Sequence, residues 1–281
     1  MYVTVDGARL FFDTVGSQLA IAGPKMEQRP SLLVLHGGPG FDHSTMRPYF
    51  DRFADTHQVI YLDHRGNGRS GGERDTWTLP RWGDDIAAFC DSLGIVKPVV
   101  FGQSFGGMVA MAYATRHPDH PAKLVLSSTA ARLDLPATYD MMEKLGGSRA
   151  RAIAETFWSK PTPEDAAEYM AVCMPLYNPG KDPALAAARA RAIHRLEVMF
   201  AFIQTEQTAM DMTADLAKIA CPTLVLGGRE DPITPVSCAE QIHRCLPAGL
   251  GTLEIFEGAG HGVYRDQPDA GEASLRRFFG T

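Results

Sequence analysis

The stretch Val99-Val100-Phe101-Gly102-Gln103-Ser104-Phe105-Gly106-Gly107, running on into Met108–Arg116, decides the fold. The run Val99–Phe101 is short, β-branched or aromatic and without polar alternation, as expected of a strand buried on both faces. Met108–Arg116 carries helix-forming residues, with Val109, Met111, Ala112 and Tyr113 among them, and the pattern stops near His117-Pro118. Between the two lies a serine flanked by glycines. A serine on a tight strand-to-helix turn projects its hydroxyl above the sheet, and the glycines avoid side-chain clashes in the strained turn. The helix N-terminus behind it offers backbone N–H groups to a developing oxyanion. This spacing makes Ser104 a candidate nucleophile.

Outward from that turn, the same kind of apolar run recurs at Leu32–Leu35, Val59–Leu62, Leu124–Leu126, Thr223–Leu226 and Leu253–Phe256. Tyr2–Val15 reads as a hairpin turning at Asp6-Gly7, and Gly23, Pro24 and Pro30 punctuate a loop after it. Ile86, Phe89, Cys90 and Leu93 recur at helical spacing before Gly94, and another helix is expected over Asp269–Phe279. Alternating strands and helices predict an α/β fold with a mostly parallel sheet covered on both faces.

The alternation fails from about Thr129 to Thr213. That stretch is rich in Ala, Met and Arg and broken by Pro161, Pro163, Pro175, Pro179 and Pro183, so it reads as several helices, one over Pro183–Phe202. It is expected to be an insertion of about 85 residues, 129–213, into a core formed by 1–128 and 214–281. Its methionines and aromatics either line a pocket or only pack a small core.

Composition bounds the function classes. The chain has 281 residues, 45% hydrophobic and 21% charged, with a formal net charge of −6. These values exclude a disordered chain, a collagen and a disulfide-stapled mini-scaffold. Mild acidity argues against a nucleic-acid partner. Asp6, Arg9 and Asp13 interrupt any signal-like apolar region near the start, and no apolar run is long enough to span a membrane. Cys90, Cys173, Cys221, Cys238 and Cys245 lack CxxC spacing and read as reduced thiols, so a cytoplasmic protein is expected; the partner expected from the serine chemistry below is a small-molecule substrate. Nothing in the sequence specifies an oligomeric state.

A serine nucleophile needs a histidine base and an acid to orient it. His261 follows the last expected strand, in Glu257-Gly258-Ala259-Gly260-His261. His36, His43 and His64 precede the serine; His117 and His120 flank a helix end, and His57, His194 and His243 fall in helical or surface stretches. Asp231, directly after Thr223–Gly228, is the expected acid; Glu230 and Asp134 are less well placed. The oxyanion would be held by the N–H groups of Phe105 and Gly38, with Gly37 as the alternative to Gly38. Phe41, Phe157, Trp158, Phe200 and Val263 are candidate pocket residues. Gly66-Asn67-Gly68-Arg69-Ser70-Gly71 matches a dinucleotide-binding spacing, but Pro80 delays the next helix too far, and no metal-ligand motif occurs.

His36-Gly37-Gly38-Pro39-Gly40, Asp63-His64-Arg65-Gly66-Asn67-Gly68-Arg69-Ser70 and the Ser104 turn, with the Asp231 and His261 turns, resemble the prolyl-iminopeptidase-like branch of the α/β-hydrolases. The resemblance covers the sheet domain, about two-thirds of the chain. It implies an eight-stranded, mostly parallel sheet, a Ser-Asp-His triad, no cofactor, and a helical cap inserted after the sixth strand. The Asp63–Ser70 loop would shape the site floor rather than react. Prolyl iminopeptidases hold the substrate's amino group with acidic side chains, and here the corresponding positions carry Pro232 and Phe200, with Glu197 or Glu206 as substitutes if the cap is shifted. Phe105 replaces the usual tryptophan or tyrosine after the nucleophile. The expected activity is therefore hydrolysis of a small acyl ester, lactone or amide. Release of N-terminal proline is the alternative, and a non-catalytic ligand-binding protein on the same fold is the alternative of a different class.

Overall fold

Asp6 and Gly7 both take positive φ, 42° and 76°, which turns β1 (Tyr2–Val5) straight back onto β2 (Ala8–Val15) in antiparallel register. The computed structural model describes residues 1–180 and 182–281. Next come β3 (Leu19–Ala22) and β4 (Lys25–Gln28), a separate two-stranded hairpin where the sequence reads as a loop. Leu19, Ile21 and Met26 stay exposed there, so this hairpin buries no face and leaves no pattern to read.

The remaining strands are β5 (Ser31–Leu35), β6 (Gln58–Leu62), β7 (Val99–Gln103), β8 (Lys123–Ser127), β9 (Thr223–Gly228) and β10 (Gly251–Phe256). They join β1 and β2 in an eight-stranded sheet of order β1-β2-β6-β5-β7-β8-β9-β10, parallel from β6 to β10. Successive residues of each strand feed opposite cores. Leu33, Leu35, Val100, Leu124 and Leu126 face one layer, and Leu32, Val34, Val99, Phe101 and Val125 face the other. Burial on both sides explains why these strands read as unbroken apolar runs.

On the first layer lie α1 (Leu79–Ser92) and α2 (Phe105–Arg116). Thr78 caps α1 by accepting from the Arg81 N–H, and Pro80 sits in the first turn, where no N–H is needed. Every residue of α2 from Phe105 to Ala114 is buried, which matches its nearly all-apolar sequence. Between β8 and β9 the chain forms α3 (Leu135–Phe157), α4 (Pro163–Val172), α5 (Pro183–Arg191), α6 (Leu196–Gln204) and α7 (Glu206–Ala209). These helices have their own apolar cluster around Met142, Phe157, Tyr169 and Ile203. α8 (Val236–Cys245) adds to the first layer, whereas α9 (Val263–Asp266) and α10 (Pro268–Phe279) cover the second.

The single helix expected over 183–202 is two. Residues 192–195 leave helical geometry because the Arg195 N–H donates to Gly40 O at 2.6 Å and its Nε to Gly68 O at 2.9 Å. Bonds to the sheet's loops replace the helical ones. Likewise Gly147, at φ 75°, breaks α3.

Strand order changes direction at β5, with β6 on one side and β7 on the other. Loops leaving β5 and β7 therefore diverge, and a crevice opens at their carboxyl ends.

His57, just before β6, is 1% exposed and packs against Phe279. Burial pushes its imidazole down to about 4. An unfolded chain binds that proton near pH 6.5, so it holds more protons than the native state between the two values, and stability falls as pH drops through that window. The cost to stability, fully developed below pH 4, is at most about 3 kcal/mol. His57→Gln should flatten the pH dependence of urea unfolding between pH 4 and 6.5; equal slopes in the two proteins would refute it.

Candidate active site

Ser104 stands in the turn between β7 and α2 at φ 55° and ψ −120°, a region a serine adopts only when its surroundings enforce it. The enforcement is steric and mutual. A Cβ on Gly102 would lie 2.4 Å from Gly106 O, and one on Gly106 would lie 2.3 Å from Leu35 O. The Ser104 N–H donates to Ser127 O at 3.0 Å, and its carbonyl accepts from Thr129 Oγ1 at 2.7 Å. β8 thus anchors the turn on both sides of the serine.

Asp231, just beyond β9, is fully buried. Its Oδ1 accepts the N–H groups of Ile233 (2.8 Å) and Thr234 (2.9 Å), and its Oδ2 accepts from Thr234 Oγ1 at 2.9 Å. His261 Nδ1 lies 2.9 Å from Oδ2 and 3.0 Å from Oδ1. Burial pushes the Asp231 carboxyl up, but attraction to His261 and these hydrogen bonds outweigh it and hold it below the usual range. An ionised carboxylate only accepts, so Nδ1 carries the proton and Nε2 is left as a base.

The insertion fixes the backbone of His261 from above. The His261 N–H donates to Tyr177 O at 2.6 Å, and Asn178 Nδ2 donates to His261 O at 3.1 Å. A Cβ on Gly260 would lie 2.2 Å from Tyr177 O, so only glycine allows this approach. Below, Gly262 N–H donates to Ser128 Oγ at 2.9 Å, tying the histidine turn to the end of β8.

Ser104 and His261 line one cavity of about 110 Å³, with Gly37, Gly38 and Phe41 of the β5 loop on its wall. Gly37 is close enough to the elbow that a Cβ there would lie 3.1 Å from Ser104 Cβ. Phe105 is the first residue of α2, and its amide has no preceding turn to bond to. The insertion closes the roof with Phe157, Trp158, Tyr169, Met170, Met174 and Met199. Its methionines and aromatics therefore do both things the sequence allows: some pack its core and some line the pocket.

Two candidate pocket residues lie elsewhere. Phe200 does not line the cavity, because its neighbour Met199 takes the inward position and one step along a helix turns a side chain by about 100°. Val263 is fully buried in the second layer with Phe101 and Leu226, since α9 directs it down toward the sheet. Tyr169, Tyr177, Arg189, Arg265 and Gln103 line the cavity without having been singled out by any sequence signal.

The Asp63–Ser70 loop braces the β5 loop from outside the cavity. Asn67 Oδ1 accepts Gly40 N–H at 2.5 Å, Asp63 Oδ1 accepts from His43 Nδ1 at 2.7 Å, and Arg65 pairs with buried Asp85. None of these residues reaches the cavity. Among the described residues, no three His, Cys, Asp or Glu side chains gather as a metal site requires.

The sequence profile of the family described as serine aminopeptidase, S33, matches residues 27–268. The chain belongs to that family. Among its relatives, a protein of Caulobacter sp. strain K31 named RutD, with carbamate hydrolysis as its provisional assignment, is 28% identical, over 87% of this chain and 93% of the relative. A proline iminopeptidase of Xylella fastidiosa strain Temecula1 is 26% identical, over 93% of this chain and 90% of the relative. A thermophilic esterase from Thermogutta terrifontis, solved with malate bound, superposes with a TM-score of 0.73 at 25% identity, covering 99% of this chain and 98% of that one. This S33 protein is an α/β-hydrolase enzyme, and no helix among its described residues is long and apolar enough to cross a membrane.

Proposed function

We propose that this enzyme hydrolyses a small acyl ester, lactone or amide through an acyl-enzyme on Ser104. The observation that carries the reading is the single cavity shared by Ser104 and His261, with Asp231 buried behind the imidazole. Ser104 Oγ attacks the acyl carbon while His261 Nε2 takes its proton. His261 returns that proton to the leaving group, and water then repeats the sequence to release the acid. Asp231 fixes the ring and stabilises the imidazolium. The N–H groups of Phe105 and Gly38 hold the oxyanion, with Gly37 as the alternative to Gly38. In this reading 129–213 is a cap that selects the substrate for a core of 1–128 and 214–281. Five unpaired thiols fit a cytoplasmic location.

Release of N-terminal proline, the activity named for several relatives, is the second reading. The charge of the cavity disfavours it. Glu197 is exposed, Glu206 accepts the Leu79 N–H at 2.8 Å, and the charged side chains lining the cavity are Arg189 and Arg265. A substrate ammonium would meet cations and no carboxylate. A panel of proline p-nitroanilide, short p-nitrophenyl esters and acyl lactones decides between the two. Esters or lactones are expected to turn over well ahead of the anilide. Selective proline release would overturn the substrate assignment. No turnover, with no labelling of Ser104 by a fluorophosphonate, would overturn catalysis altogether in favour of a binding protein.

A further inference from the structure

Two guanidinium groups converge on the catalytic cavity from opposite parts of the fold. Arg189 comes down from the last turn of α5, and Arg265 comes up from α9, one turn beyond His261. Every hydrogen bond they make among the described residues goes to a neutral oxygen. Arg189 donates to Asn178 Oδ1 at 3.0 Å; Arg265 donates to Gln103 Oε1 at 3.1 Å, His261 O at 3.3 Å and Thr45 Oγ1 at 3.4 Å. Arg265 Nε is buried with no hydrogen-bond partner. Asp266, the residue after Arg265, is already engaged by Asn178 Nδ2, Gly180 N–H and Gly260 N–H. Glu230 faces a separate outer pocket of about 480 Å³ on the insertion, and Arg189 stands on the wall common to both spaces.

Holding two like charges at the edge of a small, aromatic-lined cavity without an anion between them is unfavourable. Burial and the charge of Arg265 both work against the Arg189 cation, and the attraction of Asp266 offsets them only in part. Most of this protein's other arginines are paired with carboxylates, as Arg47, Arg65, Arg116 and Arg276 are. Unpaired guanidiniums with a free N–H suit a planar, bidentate anion.

We propose that Arg189 and Arg265 form a carboxylate subsite, so that the substrate is a small acid bearing its scissile ester, lactone or amide a few atoms from a free carboxylate. This rests on the serine-hydrolase reading and narrows it to half-esters, half-amides or lactones of dicarboxylic acids and their leaving-group counterparts. The carboxylate is not consumed; it binds, and orients the acyl carbon toward Ser104. Arg265 also ties the subsite to the base through His261 O, so substrate binding and placement of the histidine are mechanically linked.

The test pairs mono-p-nitrophenyl glutarate, which carries the carboxylate on the acyl side, with p-nitrophenyl butyrate, and 4-acetoxybenzoate, which carries it on the leaving group, with 4-acetoxybenzamide. In the wild-type enzyme one anionic ester should exceed its neutral counterpart in kcat/KM by roughly 10- to 100-fold. That ratio should collapse toward one in Arg189→Gln, recover partly in Arg189→Lys, and persist in Arg149→Gln, an exposed residue remote from the cavity. A second readout needs no turnover: glutarate should raise the melting temperature of Ser104→Ala, glutaramide should not, and adding Arg189→Gln should abolish the shift. A wild-type ratio near one for both anionic esters with no glutarate shift overturns the subsite, as does a preference that Arg189→Gln leaves intact. Failure of the hydrolase reading looks different: no ester of either charge is cleaved, or cleavage survives Ser104→Ala.

Discussion

Replacing Ser104 with alanine is expected to lower kcat on the order of 10⁴- to 10⁶-fold. The loss is chemical rather than structural. The Ser104 side chain makes no capping hydrogen bond to α2, and the turn is held by its backbone bonds to Ser127 and Thr129 and by its flanking glycines. Alanine inherits those restraints and the same positive φ, so stability should change by less than about 1 kcal/mol. Steady-state kinetics and thermal unfolding of the same preparation separate the two effects. A well-folded Ser104→Ala with near-wild-type turnover would sink the mechanism.

Asp231→Asn should be nearly as severe, for a reason that the hydrogen bonds around it specify. Oδ1 accepts two backbone N–H groups, from Ile233 and Thr234, so an asparagine must keep its oxygen there. Its amide nitrogen then takes the place of Oδ2, 2.9 Å from His261 Nδ1, and donates to the ring. The imidazole is driven into the tautomer protonated on Nε2, which cannot take the serine proton. A fall in kcat of about 10³- to 10⁴-fold with KM little changed is the expected result. Activity within tenfold of wild type would move the acid elsewhere, and Glu230 beside it would be the next residue to test.

What was legible in the sequence follows from what physics leaves no choice about. The parallel strands announce themselves because residues such as Leu32 and Leu33 both meet apolar layers, so polar alternation is lost. The elbow is legible because Gly102, Gly106 and Gly107 sit where any Cβ would strike backbone or Thr129 within 2.6 Å. Placement across the insertion is another matter. Whether Met199 or Phe200 faces the cavity depends on the rotation of α6, which Arg195 sets by bonding to Gly40 and Gly68 more than 120 residues away. Val263 illustrates the same limit at shorter range: two residues from His261, it turns into the sheet core with the direction of α9. Arg189 and Arg265 come together only through the tertiary arrangement of α5 and α9, and no local pattern encodes that meeting.

The clamp on His261 bears on how such enzymes diversify. Because Tyr177 O and Asn178 hold the backbone of His261, the proposed base, the helical segment is not an independent cassette set over a finished catalyst. Transplanting a foreign one would exchange the pocket and unhook the histidine together. New specificities on this scaffold should therefore arise by side-chain replacement along α4, α5 and α6, or by grafts whose seams spare residues 177–178, with the connection to Gly260 and His261 kept whole.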